Sequence, residues 1–335
     1  MKKWLCFVLV CVAALSAAFP AAADMGRTIL REDDFIRLVD RHETAPEGYR
    51  PVYHAGELQQ IALDPSGKYM LMSDIDLSRS ASVIQSLRDT HFSGVLDGNG
   101  FTISLGTLTE TLHPDADFRL IALFHEINGG EIRNLKVSGE YVIDMDDELM
   151  RLAMAGATRD LFGLPDFGMD AVFSPYPIRI AGLAAGMTGA SVLENCTSDV
   201  SVCFSPEAQS MLWPYYEDQL KTGLYIGGLV CTVVTEETDI RISSCRNLGN
   251  LEGPNLVGGI VGNAYGGTGK LILYACENRG NLYSRAGLGG ILGRAWKLTE
   301  RISCCANLGF LSGDNFVGGI LGYHNSKDSQ SRIEN

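Results

Sequence analysis

The chain has 335 residues with 27 basic and 40 acidic side chains, a formal net charge of −13. An acidic exterior disfavours nucleic acid and anionic lipid as partners. Glycine stands at 38 of 335 residues, roughly 11% against a usual share of about 7%, an excess that asks for an architectural reason.

Residues 1–23 read as a secretory signal peptide. Lys2 and Lys3 form a positive n-region, Trp4 to Phe19 an apolar stretch broken only by Ser16, and Ala21-Ala22-Ala23 a small-residue cleavage site. Cleavage leaves 25 basic against 40 acidic residues and seven cysteines. The expectation is an exported chain, secreted or at the cell surface, with no transmembrane segment once processed. Seven is odd, so at least one thiol stays free or pairs between chains. No CxxC pair or zinc-spaced Cys/His cluster is present, and no metal or other cofactor is expected.

Residues 24–66 read as an N-terminal arm with two short helices, Glu32 to Arg41 and Ala55 to Leu63, the second carrying Leu58 and Ile61 on one face. These helices are suited to cap an open sheet edge. Tyr69 to Leu77 reads as a strand, and Phe92 to Ile103 as strand, turn and strand around Asp97-Gly-Asn-Gly.

From there to residue 322 the chain repeats. Ile242-Ser-Ser-Cys-Arg-Asn-Leu-Gly leads to Leu256-Val-Gly-Gly-Ile-Val-Gly, and the pattern returns around Cys276 and Ile291 and around Cys305 and Ile320, at spacings of 31 and 29. Two earlier units run from Leu135 to Leu183 and from Cys196 to Leu229. A further apolar position follows each Cys or Leu by six residues: Tyr141, Val202, Leu251, Leu282 and Leu311. Short apolar runs split by Gly and Asn read as strands and turns rather than as helices. One such unit cannot bury its apolar face, but stacked units share a continuous core. The expected fold is therefore all-β, a right-handed parallel β-helix (solenoid) over residues 67–322, with a short helical N-terminal cap, two corner insertions and a polar tail at 323–335. Asn247, Asn278 and Asn307, with Gly249, Gly280 and Gly309, are expected at a left-handed corner, with the Asn side chains hydrogen-bonding along the axis. The recurrent Cys position is expected to hold stacked, buried thiols.

The order of a helix, Gly67-Lys-Tyr-Met-Leu-Met-Ser-Asp-Ile-Asp-Leu77, Phe92-Ser-Gly-Val-Leu-Asp-Gly-Asn-Gly-Phe-Thr-Ile103, Ile121-Ala-Leu-Phe124, Ile132-Arg-Asn-Leu135 and the Gly-Gly-Ile-Val-Gly units resembles the GLUG-motif proteins, a group of bacterial surface and secreted proteins. The resemblance covers residues 55 to 322 or so. It implies a right-handed parallel β-helix and an adhesin-like role at a cell surface. Similar segments also precede immunoglobulin-A-cleaving metallopeptidase domains, an arrangement from which this chain departs. His42-Glu43 and His125-Glu126 both lack a second His four residues after the first.

The units at Tyr141 and Val202 are longer than the others. The interval to the Gly-Gly-Ile landmark is nine residues in the last three units but 42 and 27 in these two. The surplus falls at about residues 144–179 and 204–222, at one corner of two consecutive units. The first insertion begins with a predicted helix over Asp146 to Met154 and carries Phe162, Phe167, Phe173 and Tyr176; the second carries Trp213, Tyr215 and Tyr216. Aromatic residues gathered in loops favour recognition, so Trp213, Tyr215, Tyr216, Phe167, Phe173 and Tyr176 are the candidate binding residues. A satellite core between the insertions is the competing reading.

The functional expectation is a non-catalytic module that binds a host or bacterial surface protein or a glycan. Two alternatives stand beside it: a polysaccharide-active enzyme, or a structural stalk within a longer surface protein. Enzymatic chemistry requires Asp74, Asp76 or Asp97 to converge with Arg88 or His91, although turn and strand-end patterns account for these carboxylates.

Overall fold

The computed structural model of the chain describes residues 39–112, 119–145, 178–215, 224–325 and 331–334. Within them the fold is a parallel β-helix. Each coil passes through three sheets in turn, and strands of successive coils lie in register, all parallel. The first sheet has nine strands, from Arg50–Val52 to Arg332–Glu334; the second has fourteen; the third has seven, from His91–Phe92 to Leu321–Asn325. Alternation directs the apolar residues inward: in Ile240–Ser243, Ile240 and Ile242 are buried and Arg241 is exposed. Parallel strands need covered faces, and stacking supplies the cover. One core cluster runs from Val52 to Cys305.

The apolar landmarks read from the sequence form columns. Tyr141 lies beside Val202, Val202 beside Leu251, Leu251 beside Leu282 and Leu282 beside Leu311. Leu135, Cys196, Cys245, Cys276 and Cys305 are buried in successive coils. All seven described cysteines are free thiols, and burial pushes the Cys245 thiol well up.

The Gly-Gly-Ile motif marks the corner between the second and third sheets, where backbone approaches backbone. A Cβ on Gly258 would stand 1.8 Å from the Val261 carbonyl oxygen. A Cβ on Gly259 would meet the Gly290 carbonyl at 2.1 Å and the Asn278 side chain at 2.7 Å. The second glycine of the motif therefore makes room for the asparagine of the following coil.

The asparagine column corrects one expectation. Asn247, Asn278 and Asn307 sit on short strands and are not left-handed. The left-handed column lies three residues earlier, at Asn134, Asn195, Ser244, Ala275 and Cys304, with φ between 51° and 57°. Gly249, Gly280 and Gly309 are needed for close stacking: a Cβ on Gly280 would stand 1.8 Å from the Gly249 carbonyl oxygen.

Helices α1 (Ala55–Leu58), α2 (Gln60–Leu63) and α3 (Ala81–Arg88) provide the N-terminal cap. The expected single helix over 55–63 is thus two short ones, with Leu58 and Ile61 buried as its pattern implies. The Glu32–Arg41 helix lies almost wholly outside the described residues, and residues 39–41 are not helical. Helix α3, which the sequence reading did not foresee, buries Val83, Ile84 and Leu87. The single strand expected over Tyr69 to Leu77 is two strands in different sheets, Lys68–Leu71 and Ile75–Asp76, because the chain turns a corner at 72–74. At the other end, residues 323–325 belong to the last strand of the third sheet, and Arg332–Glu334 pairs with Arg301–Ser303.

The structure also holds an earlier coil that lacks the Cys and Gly-Gly signals. Thr102–Leu112 pairs with Lys136–Met145, and Arg119–Ile121 pairs with Ile178–Ala181. In the regular coil Leu251–Gly258 is one strand; its predecessors are split at the same point, Phe204 from Leu224, Met145 from Ile178 and Leu112 from Arg119. Among the described residues the strand of the second sheet is thus interrupted at one place in three successive coils, two of them at the predicted insertions.

Candidate functional site: a groove on the second sheet

The second insertion begins as helix α4 (Pro206–Tyr215), where the sequence reading expected an aromatic loop. Ser205 opens it: its hydroxyl accepts from the Ala208 amide at 3.1 Å and donates to Asp144 at 2.7 Å, a side-chain cap of the helix N-terminus. The helix then lies back over the outer face of the second sheet. Gln209 Nε2 donates to Glu252 Oε1 at 3.0 Å. Trp213 packs edge-on against Phe204 with ring centroids 5.3 Å apart and stacks parallel to Tyr283 at 6.3 Å. Arg285 Nη1 donates to the Trp213 carbonyl at 3.3 Å.

Beside this helix two outward-facing rows of the second sheet line a groove of about 410 Å³. One row carries Glu140, Ser201, Asn250, Asn281 and Phe310; the other carries Cys203, Glu252, Tyr283 and Ser312. Asn250 and Asn281 spend their side-chain oxygens on the next coil, accepting from the Asn281 and Phe310 amides at 2.9 and 3.1 Å. Their Nδ2 groups have no partner among the described residues and are free to donate. Glu140 Oε2 accepts from the Thr107 hydroxyl at 3.3 Å. Burial raises the Glu252 carboxyl above its ordinary value, and burial also raises the Cys203 thiol, with Glu140 and Glu252 adding to the shift. The groove thus offers aromatic faces at Tyr283 and Phe310, amide donors and carboxylate acceptors.

Of the six predicted binding residues, Trp213 does not line the groove but stacks, half-buried, on Tyr283, which does. Tyr215 ends helix α4. Tyr216, Phe167, Phe173 and Tyr176 lie outside the described residues, as does the helix expected over Asp146 to Met154. Tyr283, Phe310, Asn250 and Asn281 were missed, because in sequence they are ordinary repeat positions; the stacking of successive coils sets them side by side along the groove.

The alternative catalytic set does not converge. Asp97 accepts from Arg133 Nε and from the Asn99 amide, both at 2.8 Å. Asp76 caps the Ser78 amide at 2.9 Å and Asp74 the Thr102 amide at 2.8 Å. Arg88 pairs with Glu110 at 2.5 Å, and His91 with Glu126 at 2.8 Å. Asp97 is in the first sheet, Asp76 in the second and His91 in the third. No group of three or more His, Cys, Asp and Glu side chains among the described residues is placed to hold a metal ion. No described helix is long and apolar enough to cross a membrane.

No family model matches the chain, and no curated protein matches it. Among solved structures it is similar to a crystal structure from Bacteroides ovatus that carries the provisional name immunoglobulin A1 protease. That likeness spans 87% of this chain and 86% of the other at 13% identity, with a TM-score of 0.45, and shows neither family nor activity.

Proposed function

We propose that this chain is an exported, non-catalytic binding module that takes a glycan chain along the groove beside helix α4. The observation that carries the reading is the groove's composition. Sugar rings present C–H faces that stack on aromatic rings, and hydroxyls that both donate and accept. Tyr283 and Phe310 supply the former need, and Asn250, Asn281, Glu140 and Glu252 the latter. A groove running along the solenoid axis suits an extended polymer, and the acidic exterior favours a neutral one. Export rests on residues 1–23, and the surface role accords with the resemblance to GLUG-motif proteins.

A glycan array probed with the processed chain tests this. Binding to a set of neutral glycans, lost in Tyr283→Ala and in Asn281→Ala, supports the reading. Absence of binding, or binding indifferent to both changes, rejects it.

A second reading is favoured by one observation: Glu252, raised by burial, shares the groove with Glu140. Two carboxyl groups flanking a glycosidic bond are the pair that hydrolase chemistry uses. Release of reducing ends from a bound glycan, abolished in Glu252→Gln with binding retained, would replace the non-catalytic reading by this one.

A further inference from the structure

A second cluster of buried residues lies around the Gly-Gly corner. There the outer face of the distal half of the second sheet turns toward the outer face of the third. Cys231 Sγ, on the third sheet, donates to the Tyr225 carbonyl on the second at 3.0 Å. Ala122, Ala181, Ala185, Tyr225, Cys231 and Leu256 form a small apolar floor, separate from the main core.

Two arginines stand beside this cluster, and they are treated differently. Arg294 is buried with its needs met. Its guanidinium lies 5.4 Å from the centre of the Tyr225 ring, Nε donates to Asn263 at 2.8 Å, and Nη2 lies 3.4 Å from the Tyr225 hydroxyl. Arg179 is the register neighbour of Tyr225 on the second sheet, one coil nearer the N-terminal end. Its Nε is shut off from solvent and has no hydrogen-bond partner, and no carboxylate among the described residues pairs with it. Around it stand His125, Cys231 and Tyr265, each of which feels its charge. The nearby carboxylate, Glu126, is already committed: Oε2 to His91 Nδ1 and Oε1 to the Thr188 hydroxyl, both at 2.8 Å.

Arg179 as a whole is half-buried, but holding one guanidinium nitrogen out of water without a partner is costly. The group that would relieve it is an oxyanion, which a guanidinium holds by two parallel hydrogen bonds. We propose that Arg179 anchors a binding site for a carboxylate- or sulfate-bearing ligand at the corner between the second and third sheets. The site is distinct from the groove beside helix α4 and does not depend on the reading given to that groove. The His125 ring, held toward its neutral form by burial, is a neighbouring hydrogen-bonding group for the ligand.

The test uses the processed full chain and three probes in titration calorimetry: an oligogalacturonate, a sulfated oligosaccharide and a neutral dextrin. The expected result is saturable binding of at least one acidic probe and not of the dextrin through this site. Arg179→Gln weakens it by about tenfold or more, as loss of a charge-assisted pair requires; Tyr283→Ala leaves it unchanged. The two acidic probes separate a carboxylate source from a sulfate source. A second readout guards against misfolding. If Arg179 waits for a ligand, Arg179→Gln melts in ligand-free buffer at the same temperature as the parent or higher. A lower melting temperature marks a structural arginine and overturns the proposal, as does failure of both acidic probes to bind, or undiminished binding by the variant.

Discussion

Asn247 Nδ2 donates to Asn278 Oδ1 at 2.7 Å, and Asn278 Nδ2 passes the pattern on to Asn307 Oδ1 at 2.6 Å. Each Nδ2 also donates to the carbonyl of the glycine two residues on, at 2.9 to 3.0 Å. The first two side chains are fully buried, so one substitution leaves several groups without partners. Asn278→Ala is expected to cost about 3 kcal/mol, by leaving one N–H of the Asn247 amide, the Asn307 oxygen and the Gly280 carbonyl without these partners. Chemical denaturation of the two proteins measures it.

The ladder stops one coil too early. Ser198 is the register neighbour of Asn247, and the Ser198 hydroxyl and Asn247 Oδ1 are both buried without partners. A Cβ on Gly182 would meet Ser198 Oγ just as one on Gly228 would meet the Asn247 side chain, so the pocket at 198 resembles the one that holds asparagine. Ser198→Asn is expected to add a rung and raise stability by about 1 kcal/mol. Thermal melts decide: a lower melting temperature would mean that the pocket is too small.

Ala275 stands in the left-handed column at φ 51°, where a non-glycine residue costs roughly 1–2 kcal/mol unless a short polar side chain offsets it. In the same column Asn195 Nδ2 donates to Asn134 Oδ1 at 2.9 Å. Ala275→Asn is accordingly expected to gain about 0.5–1 kcal/mol, and Ala275→Val to lose more than that. The pair of denaturation midpoints, on either side of the parent, checks the sign.

The Tyr141 hydroxyl is buried with no hydrogen-bond partner, and burial pushes its phenol up to about 12. Its ring fills a core column and lies 5.7 Å from the Arg88 guanidinium. Tyr141→Phe keeps the ring and removes a desolvated hydroxyl, so it is expected to be neutral or to stabilise by about 1 kcal/mol. Tyr141→Ala, which empties the column, should cost about 4 kcal/mol. A destabilised Phe variant would show that the hydroxyl has a partner after all.

The repeating part of this architecture was legible because stacking demands the same residue at the same place. Cys245, Cys276 and Cys305, like Ile260, Ile291 and Ile320, are repeated because each coil faces the next. The coil from Thr102 to Asn128 was not recognised as a repeat unit: it has neither Cys nor a Gly-Gly pair, and its corner, Ala122-Leu123, is one residue shorter than the Ala181-Gly182-Leu183 it stands against. Asparagine misled because it has two uses. It tolerates left-handed backbone, and it forms ladders in extended strands; Asn195 does the first and Asn247 the second. Trp213 reads as a recognition residue because it is an aromatic in an insertion; its stacking on Tyr283 carried no signal in the sequence. Arg179 carried no signal at all, since its isolation arises only where two sheets fold around a corner.

The same corner gives a pH dependence. Burial lowers His125 below its ordinary value, helped by the charges of His91 and Arg179 and opposed by Glu126 and a backbone hydrogen bond to Arg88. Its ring lies 4.3 Å from that of His91. The folded chain therefore prefers neutral His125, while the unfolded chain protonates it near its usual pKa of about 6.5. Below that pH the unfolded state binds the extra proton, and stability falls as pH drops until the folded pKa is passed, after which this contribution is flat. Denaturation midpoints measured from pH 7.5 to 5 should show that decline in the parent. His125→Gln removes the titrating group and should flatten it, leaving the pH 7.5 value nearly unchanged. An identical slope in both proteins would assign the dependence to other groups.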